Sequence, residues 1–394
     1  VIHRIVAVAS TAAGAFAICS MAYYLVCLYS AARFVGERKA AGEGARSTPF
    51  TPSALAVSIL KPLKGTDPEM YESFRSHCLQ EYPEYEIIFG VSDPADPAAE
   101  LVERLKLEFP HCAIRLLVCA ENLGSNTKVS NLAQMLRQAK HENILVNDSD
   151  IRVPPDYLRR IMAPLADPQV GLVTCLYRGI ASPTLGSRLE ALGISTDFAA
   201  GVLAARQLEG GIRFGLGSTL AFRRRDLDAI GGFEALADYL ADDYEIGRRI
   251  AERGLTVELS DVVVETFLPA YTLRQFVDHQ LRWGRTVRDS RRLGYFGLVV
   301  TFGFPWAVLA VVGSHGAPWS WALLAAVLAV RVAVVLVVGW SVLRDRQVLR
   351  FSAWLPLRDF VALFVWFASL VGRKVVWRGD SFILKRGKLA RIGS

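Results

Sequence analysis

Three short acidic sites punctuate the chain: Val91-Ser92-Asp93, Asn147-Asp148-Ser149-Asp150 and Asp242-Asp243-Tyr244. A fourth polar site, His279-Gln280-Leu281-Arg282-Trp283, follows them. Carboxylates at strand ends can hold a divalent cation, position a nucleotide or take a proton from a hydroxyl. Asp148 and Asp150 stand one residue apart. Hard cations such as Mg²⁺ use one or two carboxylates together with substrate phosphates, so this pair can serve a metal and the ribose or phosphate beside it. A lone Asp-x-Asp is common by chance; Asp93 upstream and Asp243 downstream give it weight. Asp242 precedes a helical run and is open to a capping role. Asp243 is the candidate general base, because displacement at a sugar's anomeric carbon needs a group that removes the attacking hydroxyl's proton.

These residues need a frame. Val57–Leu60, Glu86–Val91, Ile114–Val118, Ile144–Asn147 and Val170–Leu176 read as strands. Pro68–Gln80, Ala98–Phe109, Asn126–Lys140 and Pro155–Ala166 read as helices. That alternation predicts an α/β domain with a mostly parallel sheet over residues 55–268. Ligands bind such sheets beyond the carboxyl ends of the strands. Asp93 falls just past the second strand, and Asp148 and Asp150 just past the fourth. Gly124-Ser125-Asn126-Thr127-Lys128 opens a helix. It is either an anion site built on backbone N–H groups with Lys128 in support, or an ordinary helix start. It lacks the Gly-Lys-Ser/Thr order of a P-loop. Leu185, Leu189, Leu192, Thr196, Ala199 and Leu203 recur at helical spacing and read as a core face or as an acceptor-side helix in a membrane interface.

Apolar residues make up 52% of the 394, concentrated at the two ends, which points to membrane spans rather than to an apolar core. Ile5–Ala32 is uncharged and exceeds the roughly 20 residues that cross a bilayer, so residues 1–32 read as an N-terminal anchor. Arg33, Arg38 and Lys39 follow at once and predict a cytoplasmic side for what comes next. Residues 33–54 read as a linker. Residues 269–292 carry Arg282, Arg285, Arg288 and Arg292 with Phe276 and Trp283 interleaved, as in a basic interfacial helix. Arg282 is also placed to neutralise a diphosphate. Residues 293–343 read as a transmembrane hairpin with Arg331 inside its second arm, where a charge must pair or snorkel. Residues 344–394 read as a short re-entrant or interfacial segment and a basic cytoplasmic tail.

The formal charge is +7, but much of the basic excess flanks apolar segments and there is no basic-aromatic nucleic-acid module. An anionic membrane face, not nucleic acid, is the expected partner. The six cysteines form no Cys-x-x-Cys pair, which argues against a disulfide or zinc framework.

Val57 through Gly65, Asp93, Gly124 through Leu132, Asp148 through Val153, Asp242-Asp243-Tyr244 and Arg282-Trp283 together resemble the ceramide glucosyltransferases and their bacterial hopanoid-glycosylating relatives. The resemblance runs from the N-terminal anchor to the basic tail. It implies a GT-A fold, a UDP-sugar donor, a divalent cation (Mg²⁺ or Mn²⁺), a membrane-lipid acceptor and inversion at the anomeric carbon. It assigns Asp93 to the uridine, and Asp148 and Asp150 to the ribose, diphosphate and metal. Asp243 becomes the base, Arg282 and Trp283 close the donor site, and Lys61 and Lys128 are further donor contacts. His279 departs from the Gln or Arg of the family pattern, and Asp150 from the Gly of eukaryotic ceramide enzymes. Tyr177–Gly217 and Arg285–Arg292 resemble the hopanoid branch, in an inner-membrane bacterial setting. A processive polysaccharide synthase shares the acids and the Arg-Trp pair but normally has more spans. A non-catalytic lipid or nucleotide carrier has no use for a base at Asp243.

Overall fold

Val57–Pro62 (β1), Tyr85–Val91 (β2), Ala113–Val118 (β3) and Asn143–Val146 (β4) are the strands expected from their β-rich runs, and they pair in parallel in the order β3-β2-β1-β4. The computed structural model describes residues 2–47, 55–377 and 380–391. Helices Met70–Cys78, Ala98–Glu108 and Thr127–Gln138 fall within the sequence-predicted segments. Four more strands complete an eight-stranded sheet: Ile151–Arg152 (β5), Val170–Ile180 (β6), Leu220–Arg223 (β7) and Thr256–Phe267 (β8), in the order β4-β7-β6-β8-β5. β7 runs antiparallel to β4. β6 and β8 pair in parallel, and β5 closes the edge antiparallel to β8. One core under the sheet gathers Ile59, Phe74, Phe89, Val102, Tyr157 and Val173, all fully buried. At about 1.5–3 kcal/mol per buried large side chain, this core holds the strand ends in place.

The chain divides into two compact units. One comprises Ala45–Ile180, Gly211–Pro269 and Trp377–Ser394 and carries the sheet. The other comprises Val1–Gly44, Ala181–Gly210 and Ala270–Val376 and is helical. The soluble domain expected over 55–268 is therefore interrupted: residues 181–210 fold with the apolar helices, as helices Leu185–Gly193 and Ala199–Leu208 joined by the π-helical turn Ile194–Phe198. Leu189, Leu192, Thr196, Ala199 and Leu203 are buried there as a packed face.

Among the described residues of the helical unit three segments are long and apolar enough to cross a membrane: Val6–Ala40, Pro318–Val342 and Gln347–Ser369. A fourth, Arg292–Thr301 with Gly303–Gly313, is bent by 55° at Phe302. Two expectations change. The first helix runs from Ile2 to Ser47, through most of the segment read as a linker; residues 48–54 lie outside the described residues. The interrupted segment is the first arm of the expected hairpin, whereas residues 347–369 make a helical stretch of spanning length. The short uncharged run Phe360–Gly372 had hidden this, because Arg350, Arg358 and Asp359 lie inside the helical stretch.

Arg331 is not snorkelling. It is 2% exposed, and its guanidinium meets Asp359 through Nε at 3.2 Å and Nη2 at 2.7 Å. It also bonds the Asp197 carboxylate and donates to the Thr196 carbonyl at 3.0 Å. A fork-shaped, permanently charged group suits such a buried bidentate pair. Tyr24 of the first helix lies under it, the guanidinium carbon 5.5 Å from the ring centroid.

Candidate active site

Parallel pairing brings the carboxyl ends of β1, β2 and β4 to one edge of the sheet. Lys61 on β1, Asp93 just past β2 and Asp148 just past β4 therefore share that edge. The loop Asn147–Asp150 is pinned on both sides. Asn147 donates through Nδ2 to the Ser218 carbonyl at 2.7 Å and to the Tyr157 hydroxyl at 2.9 Å. Ser149 donates to Asp67 Oδ2 at 2.6 Å. Asp150 accepts from the Thr266 hydroxyl of β8. With its neighbours spent inward, Asp148 stays open, its side chain 40% exposed.

Two lysines hold this loop. Lys61 is fully buried and donates through Nζ to the Asp148 carbonyl at 2.9 Å. Burial pulls its ammonium down to about 7, against the Asp150 and Asp148 charges. Lys128 sits 2.8 Å from Asp148 Oδ1 and 3.3 Å from Asp242 Oδ2. Burial opposes its charge, but Asp148 and Asp242 outweigh that and hold it well above the ordinary lysine value. Lys128 is thus a fixed cation between two acidic sites that lie far apart in sequence.

β7 explains how the third site joins them. Because β7 is antiparallel to β4, its start, not its end, lies at the edge that carries Asp148. Gly217 precedes that start. A Cβ built on Gly217 would lie 3.2 Å from Asp243 Oδ2 and 3.4 Å from Asp148 Oδ2. The two carboxylate oxygens therefore face one small space that a side chain would fill. Glycines also set the approach of helix Asp242–Glu252: a Cβ on Gly247 would meet Gly215 N at 2.2 Å, and Gly215 N donates to the Asp243 carbonyl at 3.2 Å. Asp243 Oδ1 accepts from the Tyr244 N–H at 2.7 Å, leaving Oδ2 for the Gly217 space.

Like charges crowd here. Burial and Asp148 push the Asp150 carboxyl up to about 6. Burial and Asp242 push Asp243 up to about 6. Burial raises Asp242 as well. Four carboxyl groups face two ammonium groups, one of them titrating near neutrality. The all-oxygen donor set and its excess of negative charge fit a hard divalent cation. Among the described residues no group of three or more His, Cys, Asp or Glu side chains could hold an ion, so its remaining positions would fall to phosphate oxygens or water.

The other expected residues sort as follows. Asp93 is exposed and its Oδ1 accepts from the Ala95 N–H at 2.8 Å, closing a turn on itself. Two backbone donors of the 124–128 turn are turned inward: Ser125 N–H goes to Asp238 Oδ1 at 2.9 Å and Asn126 N–H to the Ala237 carbonyl at 2.7 Å. Asn126 caps the helix by accepting from Val129 N–H at 3.2 Å. Arg282 and Trp283 lie on helix Leu273–Ser290 of the helical unit, and the Trp283 ring packs 5.5 Å from His279 and 5.8 Å from Phe198. His279 Nδ1 lies 3.3 Å from Glu190 Oε1, and Gln280 donates to Glu190 Oε2 at 2.8 Å. Arg285 donates to the Lys374 carbonyl, and Arg288 to the Gly372 carbonyl and to that of Ser369, where a helix stops.

Sequence reasoning missed Asp67, Gly217, Glu190 and Thr266. Gly215-Leu216-Gly217 was the one available signal, two glycines just ahead of a β-rich run.

Residues 12–390 match the sequence profile described as Glycosyl transferase family 21. The chain belongs to that family. It is accordingly a hexosyltransferase. Ceramide glucosyltransferase 1 of Caenorhabditis elegans is 24% identical over 359 residues, covering 85% of this chain and 73% of that protein. Ceramide glucosyltransferase 3 of the same organism is 28% identical over 232 residues, 59% of this chain and 50% of the relative. The mannosyltransferase PcManGT from Pyrobaculum calidifontis, solved with GDP-Man and Mn²⁺, superposes with a TM-score of 0.50 at 20% identity, over 89% of this chain and 98% of its own. The fold of this family 21 enzyme is GT-A, with helices apolar enough to span a membrane.

Proposed function

We propose that this enzyme moves a hexose, glucose or N-acetylglucosamine, from a UDP-sugar to the hydroxyl of a membrane lipid, with inversion at the anomeric carbon. The lipid is a ceramide or a hopanoid polyol. The carrying observation is that Asp148 Oδ2 and Asp243 Oδ2 face the same space over Gly217. Two carboxylates with different surroundings can divide the work there. Asp148, next to Lys128, belongs to the diphosphate side. Asp243, pushed up to about 6, is ionised at neutral pH yet basic enough to take a hydroxyl proton.

Asp148 is the first candidate to hold a divalent cation, with Asp150 beside it; that cation would stabilise the departing diphosphate. Lys128 adds a fixed positive charge on the same side. Asp93 serves the uridine, and Lys61 fixes the backbone of the Asp148 loop. Arg282 neutralises the diphosphate and Trp283 shapes the acceptor side. The names of the relatives support the ceramide reading, and the PcManGT complex supports a nucleotide-sugar with a divalent cation. Arg33, Arg38 and Lys39, which follow the uncharged stretch of the first helix, support a cytoplasmic catalytic unit.

The test is UDP release and product mass in detergent, with UDP-glucose or UDP-N-acetylglucosamine offered alongside ceramide or a hopanoid polyol. EDTA is expected to stop transfer and Mn²⁺ to restore it. A polymeric product would favour a processive synthase, and absence of UDP release a carrier. Retention of the donor's anomeric configuration would remove the single displacement.

A further inference from the structure

We infer that the C-terminal β-hairpin, Asp380–Lys385 with Lys388–Arg391, is a positioning element of the catalytic site rather than a free basic tail. Its hydrogen bonds run to the loop just ahead of Asp242 and Asp243. Leu240 N–H donates to the Gly387 carbonyl at 3.0 Å, and Leu389 N–H donates to the Asp238 carbonyl at 2.7 Å. Tyr239 and Lys388 form an antiparallel bridge, with Lys388 Nζ 5.2 Å from the Tyr239 ring centroid. The hairpin therefore adds a strand to Asp238–Leu240, two residues before Asp242.

The same loop is held on its other side by the turn that presents Lys128. Asn126 Nδ2 donates to the Tyr239 carbonyl at 2.6 Å, Asn126 N–H to the Ala237 carbonyl at 2.7 Å and Ser125 N–H to Asp238 Oδ1 at 2.9 Å. Gly124 is obligatory in this clamp: a Cβ there would lie 2.5 Å from the Ala237 carbonyl oxygen. Residues 237–240 are thus gripped between the hairpin and the start of the Lys128 helix, and the two ends of the Lys128–Asp242 ion pair hang from that grip. A loop of four residues has little means of fixing its own conformation, so the order must come from its neighbours.

The hairpin is built to stay. Its turn places Arg386 at φ 52° and Gly387 at φ 79°, the left-handed pair that joins two strands with the correct twist. Phe382, Leu384 and Leu389 point inward, 2%, 0% and 4% exposed, while Ile383, Lys385 and Lys388 point out. Asp380 pairs with Lys64, just past β1, at 3.5 Å. A tail whose purpose was to lie on anionic lipid would need the outward lysines and Arg386, but not the inward apolar set or the backbone bonds to Asp238 and Leu240.

This inference rests on the reading of Asp243 as base, so the experiment separates the two. Leu389→Pro in the full chain removes the N–H that Asp238 accepts. It is expected to lower kcat by about tenfold or more at saturating donor and lipid, the scale of a misplaced catalytic group. Leu389→Ile, which keeps the bond, retains turnover. Lys385→Gln with Arg386→Asn, which removes outward charge and keeps a residue tolerant of positive φ, also retains turnover. If the Pro variant does not fold, a protease site inserted between Trp377 and Asp380 allows the hairpin to be cut in folded enzyme and separated by gel filtration, its departure confirmed by mass, with the same fall expected. Unchanged turnover in either case overturns the inference. So does a loss in the charge variant that equals the loss in the Pro variant, which would make the hairpin a lipid-binding tail. Asp243→Asn is run in parallel. Normal turnover of D243N would sink the base reading; an inactive D243N beside a normal L389P would sink the clamp alone.

Discussion

Replacing Asp243 by Asn is expected to cost activity and add stability. The carboxyl is pushed from 3.8 up to about 6 by burial and Asp242, so ionising it at neutral pH works against folding. A shift of about two units corresponds to about 3 kcal/mol at most, and solvent around a partly exposed carboxylate brings this to on the order of 1–2 kcal/mol. The sign follows from linkage. A group with a raised folded value contributes stability below its unfolded value, and that contribution is lost as pH rises through the folded value, here about 6. D243N lacks this loss, so its advantage is largest above about pH 7, roughly halves near pH 5 and vanishes below about pH 3.8. The assay is thermal unfolding in detergent at several pH values, with hexose transfer measured on the same samples. Removal of a general base is expected to lower kcat by about 10²–10⁴. A melting temperature that falls at neutral pH, or rises equally at all pH values, would refute the electrostatic argument. Turnover close to wild type would refute the base assignment.

Three further outcomes are expected. Gly217→Ala puts a methyl group into the space shared by Asp148 and Asp243; transfer should fall at least tenfold while the melting temperature hardly moves, because that space is not core. Arg331→Met leaves Asp359 and Asp197 without their common cation, and should cost about 3–5 kcal/mol or prevent recovery of folded protein, whereas Arg331→Met with Asp359→Leu should recover part of that loss. Glu190→Gln removes a carboxylate that His279 and Arg358 hold below its ordinary range in spite of burial. Its destabilisation should be present at neutral pH and fade as pH falls through the lowered value, read by thermal unfolding, with kcat/KM lowered through the loosened His279–Trp283 pair.

Much of the site was legible because its parts are local. Asp93, Asp148 and Asp150 follow β-rich runs that alternate with amphipathic helices, and an alternating pattern places the residues after each strand at one edge. Lys128 was legible as a basic residue opening a helix, beside either an anion site or an ordinary helix start. Two N–H groups of its turn go to Ala237 and Asp238, and its ammonium bridges Asp148 and Asp242. Arg331 was legible as a charge that must pair or snorkel; only the fold shows that it pairs, with Asp359 and Asp197. The tail was read only as basic and cytoplasmic, because charge counts say nothing about alternating burial in so short a hairpin.

The sequence by itself determined the α/β frame, the apolar spans and the residue types that sugar transfer needs, because periodicity and strand-end placement are properties of neighbouring residues. Only the tertiary structure decided which of those residues meet. The reversed direction of β7 brings Gly217 to Asp148 and Asp243. The return of residues 181–210 to the helical unit brings Asp197 to Arg331. The folding back of residues 380–391 onto Asp238–Leu240 closes the loop ahead of the candidate base. Each is a pairing across a hundred residues or more, or a choice of strand direction, and neither leaves a local mark on the chain.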